Sequence, residues 1–479
     1  MRFIQSLGIA SLSLALSACM ATGPKESSSQ ASNTPKNIIM IVSDGMGPAY
    51  VTAYRNFKDD PTTPNVEKVV FDEILMGTAS TYPAQVSGYV TDSAASATAL
   101  ASGIKSYNGA IGVDVNKQPV KTVLHQAKLN GMKTGVAVTS QVVHATPASY
   151  VAANENRRNY DQLAESFFDD RLNGDFVVDV ILGGGQSFFE RSDRNITGEF
   201  IDAGYQYVDT YNKLATLTQP TRLLGLFAPV GLPWVLDDNR KDRLRYLTQH
   251  AIKHLENPNG YFLLVEASQV DWAGHANDIA SAMAEMHDLA LTVEFLRDYV
   301  KQNPDTLVIL TADHSTGGLT IAANGEYRWS PEYLHNMTAS IETTTKQLAL
   351  SDDRVSLVEK AFGFGLNEEE KSLINAIDLS AEARAQQAVL KGIVDARTNT
   401  GWTTSGHTGV DVDVFSFGSG AEAFRGAMDN TDIAKNIFMF LAAHKGSITT
   451  NVSISSDEKV KDATGENGPC SFKDSWRCE

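Results

Sequence analysis

Asn37-Ile38-Ile39-Met40-Ile41-Val42-Ser43-Asp44-Gly45-Met46-Gly47 joins an unbroken apolar run to an acidic residue set between small ones. A strand with one wet face alternates apolar and polar residues. Ile38–Val42 does not alternate, so it suits a strand covered on both faces. The same signature returns at Thr134–Val138, Val177–Leu182, Tyr261–Val265, Leu307–Leu310 and Val412–Phe417. Helical patterns lie between these runs. After Asn277, for example, Ile279, Met283, Met286, Ala290 and Val293 recur at helical spacing. Strands alternating with helices predict an α/β fold: a central, mainly parallel sheet flanked by helices on both faces. The span 327–399 has weaker strand signals and a helical stretch near Asn367–Ala376, and reads as an insertion that covers or flanks a site.

Outward from this body the chain changes character. Arg2 followed by the apolar Phe3–Leu16, then Leu16-Ser17-Ala18-Cys19, reads as a signal segment over 1–19 ending in a lipoprotein box. Cleavage before Cys19 with lipid on its sulfur would place the protein in the periplasm or at the outer membrane as an exported, lipid-anchored chain. Ordinary signal cleavage nearby, with Cys19 incidental, is the alternative. Residues 20–36 are rich in Ser, Thr, Pro and Gly, as a flexible linker is. The main domain is expected over 37–445 and a polar tail over 446–479. In that tail Cys470 and Cys478 form either a disulfide or two free thiols. No later apolar run approaches the ~18–20 residues of a membrane span.

The chain has 479 residues, 42% of them hydrophobic, enough for a large core without metal or disulfide staples. Its net charge of −17 argues against a nucleic-acid partner. An acidic protein that binds anions must invert its charge locally, and bound cations do that efficiently.

The polar residues fall where such cations would be held. Asp44 follows one apolar run, Glu266 another, and Asp313 with His314 a third, while His144 and Thr146 come shortly after Thr134–Val138. In an open α/β sheet ligands bind beyond the carboxyl ends of strands. Asp271 and His275 are four residues apart, on one face if helical. Imidazole with carboxylate suits zinc, and His407, in a loop of small residues, is placed to complete the set. A lone Asp-x-x-x-His is more often a satisfied surface pair. Thr91-Asp92-Ser93-Ala94-Ala95-Ser96-Ala97-Thr98-Ala99 reads as a helix start. There either Ser93 or Thr91 is only the cap, or Ser93 presents its hydroxyl where free N–H groups favour an anion. Gly183-Gly184-Gly185 lacks the Lys-Ser/Thr of a phosphate loop and reads as a tight turn. His125, His250, His254, His287, His335 and His444 have no acidic partner at ligand spacing.

Taken in order, Asp44-Gly45-Met46-Gly47, Thr91–Thr98, Tyr107-Asn108-Gly109-Ala110, Ala145-Thr146-Pro147-Ala148, Val265-Glu266-Ala267-Ser268 with Asp271 and His275, Thr311-Ala312-Asp313-His314, and Ser405-Gly406-His407-Thr408-Gly409 resemble the motif set of the alkaline phosphatases. The resemblance implies a three-layer sandwich, a homodimer, and small phosphate monoesters as substrates. It implies two zinc ions and one magnesium. Asp271, His275 and His407 match the first zinc site. Asp44, Asp313, His314 and Ser93 match the second, and Asp44, Thr146 and Glu266 the magnesium site. Ser93 matches the nucleophile that becomes phosphoserine. Arg157, or Arg158 after a one-residue slip, matches the arginine that grips the phosphate, with Asp92 orienting it. His144 and Trp272 stand where the best-known bacterial members carry Asp and Lys. His144 then supports the magnesium-bound water or is itself a nearby ligand, Trp272 borders the phosphate pocket, and a positive charge is lost there. Three divalent ions against four carboxylates leave the pocket at about +2, and Arg157 makes it about +3. A phosphodiesterase or sulfatase of the same superfamily, and a non-catalytic phosphate-binding lipoprotein, are the rival readings. The sulfatase signature is absent around Ser93, and a binder has no use for a nucleophile.

Overall fold

The computed structural model describes residues 34–444. The expectations for the signal segment with Cys19, most of the linker, and the tail with Cys470 and Cys478 lie outside the described residues.

The apolar runs do form strands covered on both faces. Ten strands make one sheet: β1 (Asn37–Val42), β2 (Leu75–Ser80), β3 (Lys133–Gln141), β4 (Val180–Gly184), β5 (Gln206–Val208), β6 (Leu223–Leu226), β7 (Tyr261–Glu266), β8 (Thr306–Thr311), β9 (Val412–Gly418) and β10 (Gly426–Asp429). Their order is β10-β2-β9-β8-β1-β7-β3-β4-β6-β5. Only β9 runs against its neighbours. Every residue of β1, β7 and β8 is buried, as three adjacent central strands require.

Two groups of helices sandwich the sheet. Ser93–Ser102, Val123–Leu129, Ala145–Val151 and Asn430–Ala443 pack on one another, as do Pro48–Lys58, Arg243–Leu255, Gln269–Ala276 and Ile279–Gln302. Ser93–Ser102 is buried along its whole length. Its alanines and serines leave no bulk, so neighbouring helices approach from several sides.

Strands that the apolar pattern misses lie away from the centre. β2 reads Leu-Met-Gly-Thr-Ala-Ser, and β10 is shorter still. They pair because Gly77 has no side chain: a Cβ there would sit 1.9 Å from the Gly426 carbonyl oxygen. The run Val177–Leu182 enters the sheet only at Val180. The Val177 carbonyl accepts a 2.6 Å hydrogen bond from the Thr134 hydroxyl, and Asp179 takes the Lys128 ammonium at 2.9 Å. These side-chain bonds add to backbone bonds at Asp179, whose N–H donates to the Thr134 carbonyl at 2.8 Å and whose carbonyl accepts from the Leu223 N–H at 3.0 Å. The triple glycine is not the tight turn expected: Gly183 and Gly184 end β4, Gly184 against the Val230 carbonyl, and only Gly185, with φ 115°, turns out of the strand.

The span 327–399 carries four helices: Ile341–Leu348, Arg354–Phe362, Glu368–Asn375 and Ala383–Thr398. It grips the chain just past His275. The Ile341 N–H donates to Asp278 at 3.1 Å and Lys391 donates to Asn277 at 3.2 Å.

A buried ion cluster braces the Gln269–Ala276 helix from behind. Arg243 is fully buried against Glu285, with Asp288 at 3.5 Å, and donates to the Gln269 side chain at 3.1 Å. Gln269 in turn donates to the carbonyls of Thr139 and Leu232. Removing one partner of such a pair strands the other charge in a dry interior. Glu285→Ala is therefore expected to cost about 3–5 kcal/mol, read as a lower urea midpoint. An unchanged midpoint would show that Asp288 alone satisfies Arg243.

Candidate metal and phosphate site

The sheet register decides which residues meet. Val42 lies opposite both Glu266 and Thr311, so the chain leaving β1 emerges between those leaving β7 and β8. That brings Asp44, Glu266 and Asp313 to one edge, with β3 delivering His144 and Thr146 beside them. Gly45 turns with φ 76°. A Cβ there would lie 2.5 Å from the Asp271 Cα, so Asp271 reaches the edge only because residue 45 has no side chain. The Gly45 N–H donates to Asp313 at 3.2 Å, closing the loop over the strand ends.

Three clusters of metal-binding atoms result: Asp271, His275 and His407; Asp44, Asp313 and His314; and Asp44, His144 and Glu266. Within each, the donor atoms lie within 4.8 Å of one another. Asp44 belongs to two of them. Thr146 is buried beside Glu266 in the third. None of the six other histidines joins a cluster among the described residues.

The hydrogen bonding fits cations. His275 Nδ1 lies 2.6 Å from the Ser405 carbonyl oxygen, and His407 Nδ1 2.9 Å from that of Thr91. Carbonyls only accept, so both Nδ1 atoms carry the proton. The two Nε2 atoms are then bare lone pairs facing each other at 3.2 Å, with Asp271 Oδ2 3.3 Å from the first. Donor atoms so placed repel unless a cation lies among them. In the other clusters both oxygens of Asp44, Oδ2 of Asp313 and Oε1 of Glu266 accept no hydrogen bond from the described residues.

Electrostatics agree. Burial, then repulsion from Asp313, Asp271 and Glu266, holds the Asp44 carboxyl well above the usual carboxylate range. Burial and Asp271 push Asp313 up to about 8, and burial pushes Glu266 up to about 7. Burial pushes His314 well down, reinforced by His407, and with Arg157 takes His144 down to about 3. The imidazoles are therefore neutral, the form that ligates metal.

Ser93 stands beside this edge as the first residue of its helix. Neither Ser93 nor Thr91 is the cap. Asp92 caps by accepting from the Ala95 N–H at 2.9 Å, which leaves the Ser93 hydroxyl uncommitted to the backbone. Ser93 Oγ lies 3.1 Å from His314 Nε2, and that same nitrogen lies 3.4 Å from Asp44 and 3.2 Å from Asp313. A general base would need a proton-accepting imidazole held for that one task. His314 instead faces a ligand cluster.

Asp92 also accepts from the Gly109 N–H at 2.8 Å and from Arg157 at 3.1 Å. Arg157 is buried, and its second terminal nitrogen lies 3.3 Å from His144 Nε2. Arg158 is exposed, so of the two it is Arg157 that lies against Asp92 and His144. Trp272 is fully buried, its ring edge-on to His144 at 6.0 Å and pressed over Gly231. It therefore sits behind His144.

The sequence reading missed several supports. The Ser140 hydroxyl donates to Glu266 at 3.2 Å and accepts from Ser268 at 3.0 Å. The Ser96 hydroxyl donates to the Asp313 carbonyl at 2.7 Å. Thr316 donates to Asp271. Single hydroxyls in such runs carry no spacing signal, and only the fold brings them to their partners.

Comparison with known proteins agrees with this geometry. The alkaline phosphatase family profile matches residues 35–443. The chain is 43% identical over 414 residues to alkaline phosphatase 4 of Bacillus subtilis strain 168, covering 86% of this chain and 89% of that one. It is 32% identical over 340 residues to the alkaline phosphatase of Escherichia coli K12, covering 60% and 71%. Among solved structures it resembles a cold-active alkaline phosphatase from a psychrophilic Shewanella, at 49% identity and TM-score 0.80, covering 85% of this chain and 99% of that one. The alkaline phosphatase of Thermus thermophilus is similar at 26% identity and TM-score 0.74, covering 88% and 96%.

The raised carboxyl pKa values carry a sign. A group whose folded pKa exceeds its unfolded value of about 4 stabilises most below that value, and the contribution is lost as pH rises through the folded pKa. For Glu266 and Asp313 that loss builds up above about pH 4 and is complete near pH 7 to 8. Chelator-treated protein should therefore melt at falling temperature from pH 5 to pH 8 and level off above, while protein supplied with divalent metal holds its melting point. Parallel curves would contradict the carboxylate cluster.

Proposed function

The chain belongs to the alkaline phosphatase family, and from that premise we propose that Ser93 is its nucleophile, in a phosphomonoesterase holding two zinc ions and one magnesium. The observation that carries the reading is the freed Ser93 hydroxyl, set between a cluster of metal-binding atoms and a buried arginine.

Asp271, His275 and His407 would hold the first zinc, Asp44, Asp313, His314 and Ser93 the second, and Asp44, Thr146 and Glu266 the magnesium. His144 adjoins this last set. Bound there, the ions supply positive charge that offsets the carboxylates and lowers the pKa of nearby oxygen nucleophiles.

The protein's own residues do the rest. Arg157 is held in place by Asp92 on one side and His144 on the other. Its planar fork is suited to two equatorial phosphate oxygens, which a lysine cannot copy. The first N–H groups of the Ser93 helix face the same anion. Ser93 Oγ attacks phosphorus as the bond to the leaving alcohol's oxygen breaks, and that oxygen takes up a proton. Water then attacks the phosphoserine from the vacated side, Ser93 regains its proton, and inorganic phosphate leaves. Ester and water give alcohol and phosphate.

The location follows from the N-terminal signal in our proposal: an exported chain, anchored in the periplasm or at the outer membrane by lipid on Cys19. No helix among the described residues is long and apolar enough to cross a membrane. A homodimer is the proposed assembly, from family resemblance.

Three experiments test these proposals. Ser93→Ala is expected to lose at least about a thousandfold in kcat and all phosphoenzyme, as removal of a nucleophile does, while retaining its metals by elemental analysis. Wild-type phosphate release from monoesters should stop with chelator and return with zinc and magnesium. A fully active Ser93→Ala, or chelator-insensitive turnover, would refute the assignment. Labelled palmitate should enter the wild type and not Cys19→Ser, and an unlabelled wild type would overturn the anchor.

A further inference from the structure

One buried hydroxyl touches both halves of the metal cluster. Thr316 is fully buried, and it meets four elements that carry candidate ligands. Its N–H donates to the Gly45 carbonyl, next to Asp44, at 3.1 Å. It stands opposite His407 in the short ladder Ser315–Thr316 with His407–Thr408. Its Oγ1 donates to Asp271 Oδ1, and the same Oγ1 lies 3.2 Å from His314 Nδ1. Its carbonyl accepts from the Tyr50 hydroxyl at 2.8 Å, and Gly274 packs against its side chain, so it has little freedom to turn.

The direction of the hydrogen bonds is forced. A metal-binding carboxylate has no proton to give, so the single hydroxyl proton of Thr316 goes to Asp271. Oγ1 then offers only lone pairs to His314, and Nδ1 must be the donor. That places the imidazole proton on Nδ1 and leaves Nε2 bare, facing Ser93, Asp44 and Asp313. We propose that Thr316 is a positioning residue that sets the His314 tautomer and, through the same oxygen, fixes Asp271, so that one hydroxyl organises a ligand of each zinc site. Outer hydrogen bonds of this kind orient ligands and tune their basicity. Here the support is shared, so disturbing it reaches both sites together. The inference rests on the proposed ligand sets of Asp271 and His314.

Thr316→Val keeps the side-chain shape and removes the hydroxyl, and Thr316→Ser keeps the hydroxyl and removes the methyl. Thr316→Ala against Thr316→Ser makes the same comparison through a single oxygen with no added bulk, should valine prevent folding. Zinc is titrated calorimetrically into chelator-stripped full-length protein, with the melting point of the stripped protein as the folding control. The wild type should show two zinc events. In Thr316→Val and Thr316→Ala both should weaken, each by about 10- to 100-fold, while Thr316→Ser stays within about threefold of wild type. Wild-type affinity in the valine and alanine variants would overturn the proposal. So would a serine variant as weak as alanine, which would make the methyl the agent. Weakening of one event alone would overturn the shared role. A wild type without two zinc events would instead fail the metal assignment on which the inference stands.

Discussion

Mutual repulsion among buried acids is the constraint on which the site depends. Asp44, Glu266 and Asp313 converge where water is excluded, and two bare imidazole nitrogens face each other alongside. Ionised carboxylates cannot stay unpaired in such a place. They take protons, as the raised values for Asp44, Asp313 and Glu266 express, or they share a cation. The nearest fixed positive charge is Arg157, and it is already tied to Asp92. The folded chain therefore stores an electrostatic demand that divalent ions meet. The same ions let a chain of net charge −17 receive an anion.

The sheet makes the convergence unavoidable. β1 lies between β7 and β8 in fixed register, so three strand ends open at one level. Glycine at residue 45 then admits Asp271 against the turn. The helix that carries Asp271 and His275 is braced from behind by Arg243 through Gln269 and held past its end by the 327–399 helices at Asn277 and Asp278. These braces thus hold a few mutually repelling donor atoms closer together than they would otherwise lie. That is a stability cost, offset when ions bind the folded state alone.

The sequence showed the parts of this with a repeating physical signature. Central strands covered on both faces must be apolar throughout, so Ile38–Val42, Tyr261–Val265 and Leu307–Leu310 were legible, and the acids just past them marked the edge. Outer strands carry no such demand. β2 and β10 are defined by the close approach of Gly77 to Gly426, which no pattern announces. Among site residues, charged and imidazole groups stand out because burying them needs a reason. Supporting hydroxyls do not: Ser96, Ser140 and Thr316 look like any small polar residue until the fold shows their partners. Asp92 was missed as the cap for a related reason. Thr91, Asp92 and Ser93 are all good caps, and only the backbone decides that Asp92 takes the role.

That last detail bears on the chemistry. One carboxylate, Asp92, caps the Ser93 helix, accepts from the Gly109 N–H and holds Arg157. The proposed nucleophile and the proposed phosphate clamp therefore hang from a single side chain, and their separation is set by it. On the far side Arg157 meets His144, a neutral ring with no charge to compete for the guanidinium. An aspartate there would form a second ion pair and draw the fork away from phosphate. With histidine, backed by the buried Trp272 ring, the guanidinium is steered but not neutralised. If His144 and Trp272 replace an aspartate and a lysine, as the family resemblance implies, one positive charge is lost while the one that remains is less quenched, and we propose that the two replacements act in opposite directions on phosphate binding.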